Sequence, residues 1–328
     1  MKVLVTGGAG YVGSHAVRAL RRRGFEVRIL DNLSTGNVRL AEGFELLRGD
    51  LRDPQQATVA VSGVDAVMHF AASAYVGESV SNPRAYFENN VQAGLHLLNA
   101  AVDHKVRYIV SSSTCAVYGI PSVIPITEEA PREPVSPYGA SKLFVEHALE
   151  AYQVAYSVQY MALRYFNVAG ADDSGEIGEL HDPETHLIPR ILMVAAGMLP
   201  ALEVFGSDYP TPDGTCIRDY IHVSDLAEAH VLALEYLVRG GQSAALNLGT
   251  GTGWSVKEVV ATAEKITGRR IPLHYAPRRA GDPPVLVADG SKARALLGWA
   301  PERTLEQMVG SAWQWLERQV KTSRGQYG

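Results

Sequence analysis

The sequence predicts an α/β protein: a doubly wound parallel sheet with a smaller C-terminal α/β substrate domain. Three observations carry this. Short β-branched runs alternate with longer amphipathic segments through the first half, the pattern of βαβ units. Several of those runs are almost wholly apolar, as strands covered by helices on both faces are. After about residue 168 the alternation loosens into long connections rich in Gly, Pro, Asp and Thr.

Taken in order, Lys2–Thr6 reads as the first strand and 12–23 as the first helix. Its end, Arg21-Arg22-Arg23-Gly24, puts cations in the last turn and a glycine just past it, a helix stop rather than a phosphate patch. Strands follow at 26–30 and 44–47, a helix at Pro54–Val61, a strand at 66–70, a long helix at 83–104 and a strand at 106–111. In the second half, helices are predicted over 187–196, 224–239, 255–267 and 304–319. Between them lie loops at 170–185, 206–214 and 276–284, long enough to reach a ligand. The polar stretch 321–328 is expected to fray.

With 328 residues, 46% apolar and 20% charged, the chain can bury a sizeable core over about two domains. Lys plus Arg number 30 against 35 for Asp plus Glu, a net charge of -5, so no basic field draws nucleic acid to it. Cys115 and Cys216 are the only cysteines, which argues against a disulfide framework and for a reducing, cytoplasmic setting. The longest apolar run, 191–202, has 12 residues and contains Gly197 and Pro200. A bilayer span needs about 20, so no membrane partner is expected. Met1 and Lys2 lead straight into the first strand, and no export signal is expected.

Thr6-Gly7-Gly8-Ala9-Gly10-Tyr11-Val12-Gly13 links the first strand to the first helix. Gly7, Gly10 and Gly13 permit a tight turn, close approach of backbone to a pyrophosphate, and close helix–sheet packing. The spacing is GxxGxxG rather than GxGxxG, and its force comes from its place between strand and helix and from Asp31 after the second strand. A carboxylate there accepts hydrogen bonds from an adenosine ribose and repels a 2′-phosphate, so NAD is expected over NADP.

Among 15 tyrosines only Tyr138 has a lysine four residues on, Lys142. Ser136 can cap and Pro137 can occupy the first helical position, so both side chains lie on one face at the start of a helix. A phenol of pKa near 10 becomes a useful base at neutral pH only if lowered by about 3 units, or roughly 4 kcal/mol. An adjacent ammonium and the positive charge of an oxidised nicotinamide can supply that. Upstream, Ser111-Ser112-Ser113-Thr114-Cys115-Ala116-Val117-Tyr118-Gly119 starts at the C-terminal end of a strand, the ligand-binding edge of a parallel sheet. Its hydroxyl for a substrate alcohol is Thr114 or Ser113; spacing does not choose between them.

Ser/Thr, Tyr and Lys in this order behind a glycine turn resemble the extended short-chain dehydrogenase/reductases. Over nearly the whole chain the sequence is similar to the UDP-glucose 4-epimerase family. Besides the glycine turn and the Tyr138/Lys142 pair, the likeness is carried by Asp31-Asn32-Leu33, His69-Phe70-Ala71-Ala72, Val76-Gly77-Glu78-Ser79, Asn89-Asn90-Val91 and Leu163-Arg164-Tyr165-Phe166-Asn167. It continues through Asp208-Tyr209-Pro210-Thr211, Gly214-Thr215, Arg218-Asp219-Tyr220-Ile221-His222-Val223, Ala276-Pro277-Arg278-Arg279 and Gly281-Asp282.

The resemblance implies an NAD-binding Rossmann domain over 1–168, rejoined by about 217–240, and a UDP-sugar-binding domain over 169–328. It implies an isomerase of galactose metabolism that interconverts UDP-galactose and UDP-glucose. C4 is oxidised by tightly bound NAD, the 4-keto sugar turns over, and hydride returns to its other face. Tyr138 would then be the base, Lys142 would lower its pKa and hold the nicotinamide ribose, and Thr114 would hydrogen-bond the sugar 4-oxygen. The cofactor would meet Gly7, Gly10, Tyr11, Val12 and Gly13, with Asp31 and Asn32 at the adenosine ribose and Asp50 and Leu51 at the adenine. Phe70, Ala71, Ala72, Asn89, Ser112 and Tyr165 would line its channel. Asn167, Arg218, Arg279 and Asp282 would hold the UDP part, with Phe205 near the uracil, and His186, Leu187 and Leu286 would also meet the substrate. Relatives pair as homodimers, here through helices 83–104 and 137–156.

Three positions depart from the pattern. Leu286 stands where some members carry a large Tyr and others a small residue that admits N-acetylated sugars; UDP-N-acetylhexosamines or UDP-pentoses therefore remain alternative substrates. His186 stands where relatives carry Asn, and Ala74 where some carry Lys. His181, Asp182, Glu184 and His186 show no recognised ligand spacing, so no metal is expected. A dehydratase on the same frame would need an acidic pair after Thr114, where Cys115 and Ala116 stand. A non-catalytic NAD sensor is countered by the intact Thr114, Tyr138 and Lys142.

Overall fold

A computed structural model describes residues 1–279 and 281–325. Residues 326–328 of the polar end lie outside the described residues, as does Ala280 of the loop predicted at 276–284. In chain order the elements are β1 Lys2–Thr6, α1 Tyr11–Arg22, β2 Glu26–Asp31, β3 Glu45–Arg48, α2 Pro54–Val61, β4 Ala66–His69, α3 Val76–Ser81, α4 Pro83–Tyr86, α5 Ala93–Asp103, β5 Tyr108–Thr114, α6 Pro137–Tyr156, β6 Gln159–Tyr165 and β7 Asn167–Ala169. Then come α7 Leu187–Ala195, β8 Leu202–Phe205, β9 Ile217–His222, α8 Val223–Val238, β10 Ala244–Leu248, β11 Gly253–Ser255, α9 Val256–Thr267, β12 Leu273–Ala276, β13 Val285–Leu286, α10 Ser291–Leu297 and α11 Leu305–Gly325.

Seven parallel strands run in the order β10-β6-β5-β4-β1-β2-β3, the doubly wound sheet the sequence predicts. The side-chain period of two divides the core. Val3 and Val5 of β1 point into the layer shared with α1 and α8, and Leu4 points into the layer of α2, α5 and α6. Strand order reverses between β1 and β4, so the crevice at the sheet's C-terminal edge opens beside Gly7, Phe70 and Thr114. Strands β6 and β10 are not among the predicted ones. Their cores, Met161-Ala162-Leu163 and Ala244-Ala245-Leu246, are good helix formers, and burial between two helical layers overrides that propensity.

The predicted helix 83–104 is broken. A π-helical turn, Phe87–Gln92, joins α4 to α5 and carries Asn89 and Asn90. Asn90 Oδ1 accepts from the Ser73 N–H (2.8 Å) and its Nδ2 donates to the Ser73 carbonyl (3.0 Å), ties that accompany the local widening of the helix. Strand β5 runs three residues beyond the predicted end, to Thr114, which lengthens the sheet toward the crevice.

In the second half β9 is the organising strand. It pairs in parallel with β7 and β13 and antiparallel with β11, setting Asn167 opposite Tyr220 and Leu286 opposite Arg218. Strand β8 pairs with β12, bringing Phe205 opposite Ala276. Helices α7, α9 and α11 close over the apolar layer built on Ile188, Ile191, Val259 and Val309. Among the described residues no helix is long and apolar enough to cross a membrane.

Candidate active site

The glycine turn is built for close approach. Gly7 has φ +71°, and a Cβ there would lie 2.7 Å from the Ala71 nitrogen. A Cβ on Gly13 would lie 2.2 Å from the Gly7 carbonyl oxygen, so α1 packs on the turn as only glycine allows. No side chain caps α1, and its first turn holds no acidic residue. The N–H groups at Tyr11, Val12 and Gly13 thus present the positive end of the helix to the crevice, an arrangement that fits a dinucleotide pyrophosphate. The Tyr11 hydroxyl donates to the Gly170 carbonyl (2.6 Å), and Val12 packs its side chain on the core.

Asp31, 7% exposed, accepts from Ala9 N–H (2.9 Å) and Leu33 N–H (2.8 Å). Burial raises its pKa against those two bonds, and the carboxylate still has lone pairs for a ribose. Asn32 donates to Asp50 Oδ2 (2.9 Å), and Arg52 together with Asn32 holds the Asp50 carboxyl well below the usual range. The Leu51 side chain is instead a core residue, 5% exposed among α2 and α5, so only its backbone can face an adenine. Phe70 stacks on the His230 ring (4.6 Å between centroids), and Ala71 N–H lies 3.4 Å from Thr6 Oγ1. Ala72 is half-buried, and Asn89 donates to Ser73 Oγ (3.1 Å).

Helix α6 begins as its sequence dictates: Ser136 Oγ accepts from Gly139 N–H (3.1 Å) and Pro137 follows it. This fixes Tyr138 and Lys142 one turn apart, both buried. The register of β5 decides between the two hydroxyls. Ser113 donates to Glu146 Oε1 (2.5 Å) on one face, whereas Thr114, on the other, stands close enough to the Tyr138 hydroxyl to oppose the rise of its pKa. Lys142 Nζ donates to the Ser112 carbonyl (3.0 Å), and the Ser112 and Tyr165 hydroxyls lie 2.5 Å apart.

The electrostatics differ from the sequence-based picture of Tyr138. Burial, reinforced by Tyr165, pushes the phenol well above its ordinary 10, and Thr114 only partly opposes this. Burial also pushes Lys142 down to about 8, against the pull of Glu146. The protein alone therefore holds Tyr138 as a phenol.

The substrate-side residues assemble around β9. Arg218, buried, donates from its Nη2 to Asp282 Oδ1 (2.6 Å), and the Tyr209 hydroxyl lies 3.4 Å from Asp282 Oδ2. The Arg279 guanidinium sits 4.0 Å over the Phe205 ring. Half-buried Leu286 packs with Cys115 against Val117, Tyr118 and Phe166, which joins this cluster to the Thr114 turn. Asn167 is half-buried on β7, and Leu187 opens α7. His186 turns its Nδ1 to Glu179 and Glu184.

Several site residues were not foreseen. Asn90 Nδ2 donates to Ser141 Oγ (2.9 Å), tying the π-turn to the helix of Tyr138 and Lys142. Glu146, one turn beyond Lys142, pairs with Arg164 (2.6 Å), which donates to Tyr118 OH (2.8 Å), which donates to Asn247 Oδ1 (2.7 Å). A charged Arg164 inside an apolar run was the available signal. His69 contacts Thr6 Oγ1 (2.8 Å), and burial followed by the Lys142 charge lowers its pKa to about 3.

Residues 3–249 match the NAD dependent epimerase/dehydratase family. The chain is 50% identical to the UDP-glucose 4-epimerase of Halalkalibacterium halodurans, covering 96% of this chain and 95% of that protein. Its structure is similar to UDP-glucose 4-epimerase from Brucella ovis in complex with NAD (TM-score 0.93, 49% identity, 95% and 97% of the two chains). It is also similar to that from Stenotrophomonas maltophila with bound NAD and formylated UDP-arabinopyranose (TM-score 0.95, 42% identity, 98% and 99%).

Proposed function

Since the chain belongs to the NAD dependent epimerase/dehydratase family, we propose that it is an NAD-dependent epimerase that interconverts UDP-galactose and UDP-glucose by inversion at C4. The observation that carries this is the convergence of Thr114, Tyr138 and Lys142 beside the uncapped start of α1. NAD bound there would supply the acceptor and donor of the C4 hydride. Gly7, Gly10, Gly13 and the α1 N–H groups would hold its pyrophosphate, Asp31 its adenosine ribose, and Lys142 its nicotinamide ribose.

Tyr138 takes the 4-hydroxyl proton and later returns it, and Thr114, beside Tyr138, positions the 4-oxygen. Arg218 and Arg279 offer guanidinium forks to the substrate pyrophosphate, with Asp282 orienting Arg218 and Phe205 presenting a ring face to the uracil. Asn167 adds a polar contact from β7. Anchoring the nucleotide by these groups leaves the hexose free to turn.

The decisive experiment is to incubate the purified protein with UDP-galactose, without added NAD, and follow UDP-glucose by NMR. Conversion that persists after desalting supports a resident NAD; no conversion even with NAD supplied rejects the reading. Leu286, partly buried in the apolar wall, favours unsubstituted hexoses. Equal specificity constants for UDP-galactose and UDP-N-acetylgalactosamine would reject that preference.

A homodimer is supported by exposed Leu95 and Phe144 lining a cavity of about 330 Å³ between α5 and α6. A monomer by sedimentation at micromolar concentration would count against it. Two free cysteines fit a cytoplasmic setting.

A further inference from the structure

The connection from β7 to α7 carries Glu179, His181, Glu184 and His186, spaced E-x-H-x-x-E-x-H, and brings one ligand atom of each within 4.8 Å of all the others. Glu179, not the exposed Asp182, completes the set, so the grouping differs from the one weighed in the sequence. His186 Nδ1 lies 2.7 Å from Glu179 Oε1 and 3.2 Å from Glu184 Oε1. His181 Nδ1 lies 2.9 Å from the same Glu179 oxygen and 3.9 Å from Glu184 Oε2. We propose that these four side chains bind a divalent transition-metal ion of the zinc type, as a structural clasp on the β7–α7 loop.

Three features lead there. The first is the donor set: two imidazole nitrogens with two carboxylate oxygens suit zinc-like ions, whereas calcium and magnesium take six or more oxygens. Next, a tetrahedral ion with bonds of about 2.1 Å sets its donors about 3.4 Å apart. With one oxygen taken from each carboxylate, His186 Nδ1 lies 2.7 Å from Glu179 Oε1 and 3.2 Å from Glu184 Oε1, and His181 Nδ1 lies 2.9 Å from Glu179 Oε1, a few tenths of an ångström inside that spacing. Finally, His186 Nδ1 is buried and makes no aligned hydrogen bond, although two carboxylate oxygens are near enough.

The surroundings are consistent with a metal ligand set. The Glu179 and Glu184 side chains are only 7% and 8% exposed, and two carboxylates that close repel unless positive charge lies between them. The ligand backbone is held from outside: Trp315 Nε1 donates to the Glu179 carbonyl (2.9 Å) and Arg190 Nη1 to the Glu184 carbonyl (3.2 Å). Four protein donors fill a tetrahedron and leave no open position, so the ion organises structure rather than activating substrate. It does so at a junction. The His181 ring meets Tyr75, after β4, and Tyr11, at the start of α1, at 6.1 and 6.4 Å, while His186 immediately precedes α7.

The test uses the full-length protein, stripped with a chelator, desalted, and titrated separately with Zn(II) and Co(II). One ion per chain is expected, with the intense visible bands of tetrahedral Co(II). Glu179→Gln and His181→Ala should each weaken Zn(II) binding by at least about 100-fold, more than loss of an outer partner ordinarily causes. Circular dichroism checks that each variant is folded, and Glu184→Gln substitutes for either that is not. Absence of stoichiometric binding by the stripped wild type, weak octahedral Co(II) bands, or undiminished affinity in a folded variant overturns the proposal and leaves imidazole–carboxylate ion pairs in its place.

Discussion

Replacing Tyr138 by phenylalanine separates chemistry from folding. The side chain is 9% exposed and its ring meets Tyr86 edge-on at 6.4 Å, a contact phenylalanine keeps. The lost hydroxyl leaves no orphan: Thr114 Oγ1 still accepts from Ala116 N–H (3.1 Å). Lys142 stays anchored on the Ser112 carbonyl. The stability change should therefore stay within about 1 kcal/mol, the net worth of one hydrogen bond. Loss of a positioned base costs roughly 10²–10⁴ in rate, about 3–5.5 kcal/mol of barrier. Turnover of UDP-galactose, followed by NMR, should fall at least about a hundredfold, while UDP binding by calorimetry and the urea midpoint change little. Turnover near wild type in a folded Tyr138→Phe protein would refute the assignment of the base.

Three further outcomes are expected. Gly13→Ala forces a Cβ to 2.2 Å from the Gly7 oxygen, so the turn must move and the NAD dissociation constant should rise at least about tenfold, roughly 1.4 kcal/mol; an unchanged value by titration speaks against the phosphate turn. Glu146→Ala strands the buried Arg164 guanidinium and should lower unfolding free energy by about 3–5 kcal/mol, with Glu146→Gln milder; a loss below about 1 kcal/mol in denaturant melts would show the pair to be dispensable. Burial sets Lys142 near 8 instead of 10.5, so between those pH values the unfolded chain holds the extra proton and stability rises with pH. Lys142→Met should flatten that rise, and equal slopes in the two unliganded proteins would contradict it.

Features within one turn of chain were legible because covalent connectivity enforces them. Ser136-Pro137 start α6 where their capping chemistry says, and Tyr138 and Lys142 then share a face by helical period alone. Gly7 and Gly13 are likewise explained by the atoms their missing Cβ would strike. What was missed depended on neighbours distant in sequence. Met161-Ala162-Leu163 became strand because β5 and β10 flank it, and alternation could set Ser113 and Thr114 on opposite faces without saying which faces Tyr138.

By itself, then, the sequence determined the α/β class, the dinucleotide turn and the Tyr–Lys pair, each a short-range matter of sterics and period. Tertiary structure decided the rest: that Thr114 stands beside Tyr138, that Arg218 meets Asp282 across 64 residues, and that four side chains of one loop converge. It also decided that Tyr138 is raised rather than lowered in the protein alone. Burial supplies the reason, because desolvation depends on everything packed around a group and not on the residues beside it in the chain.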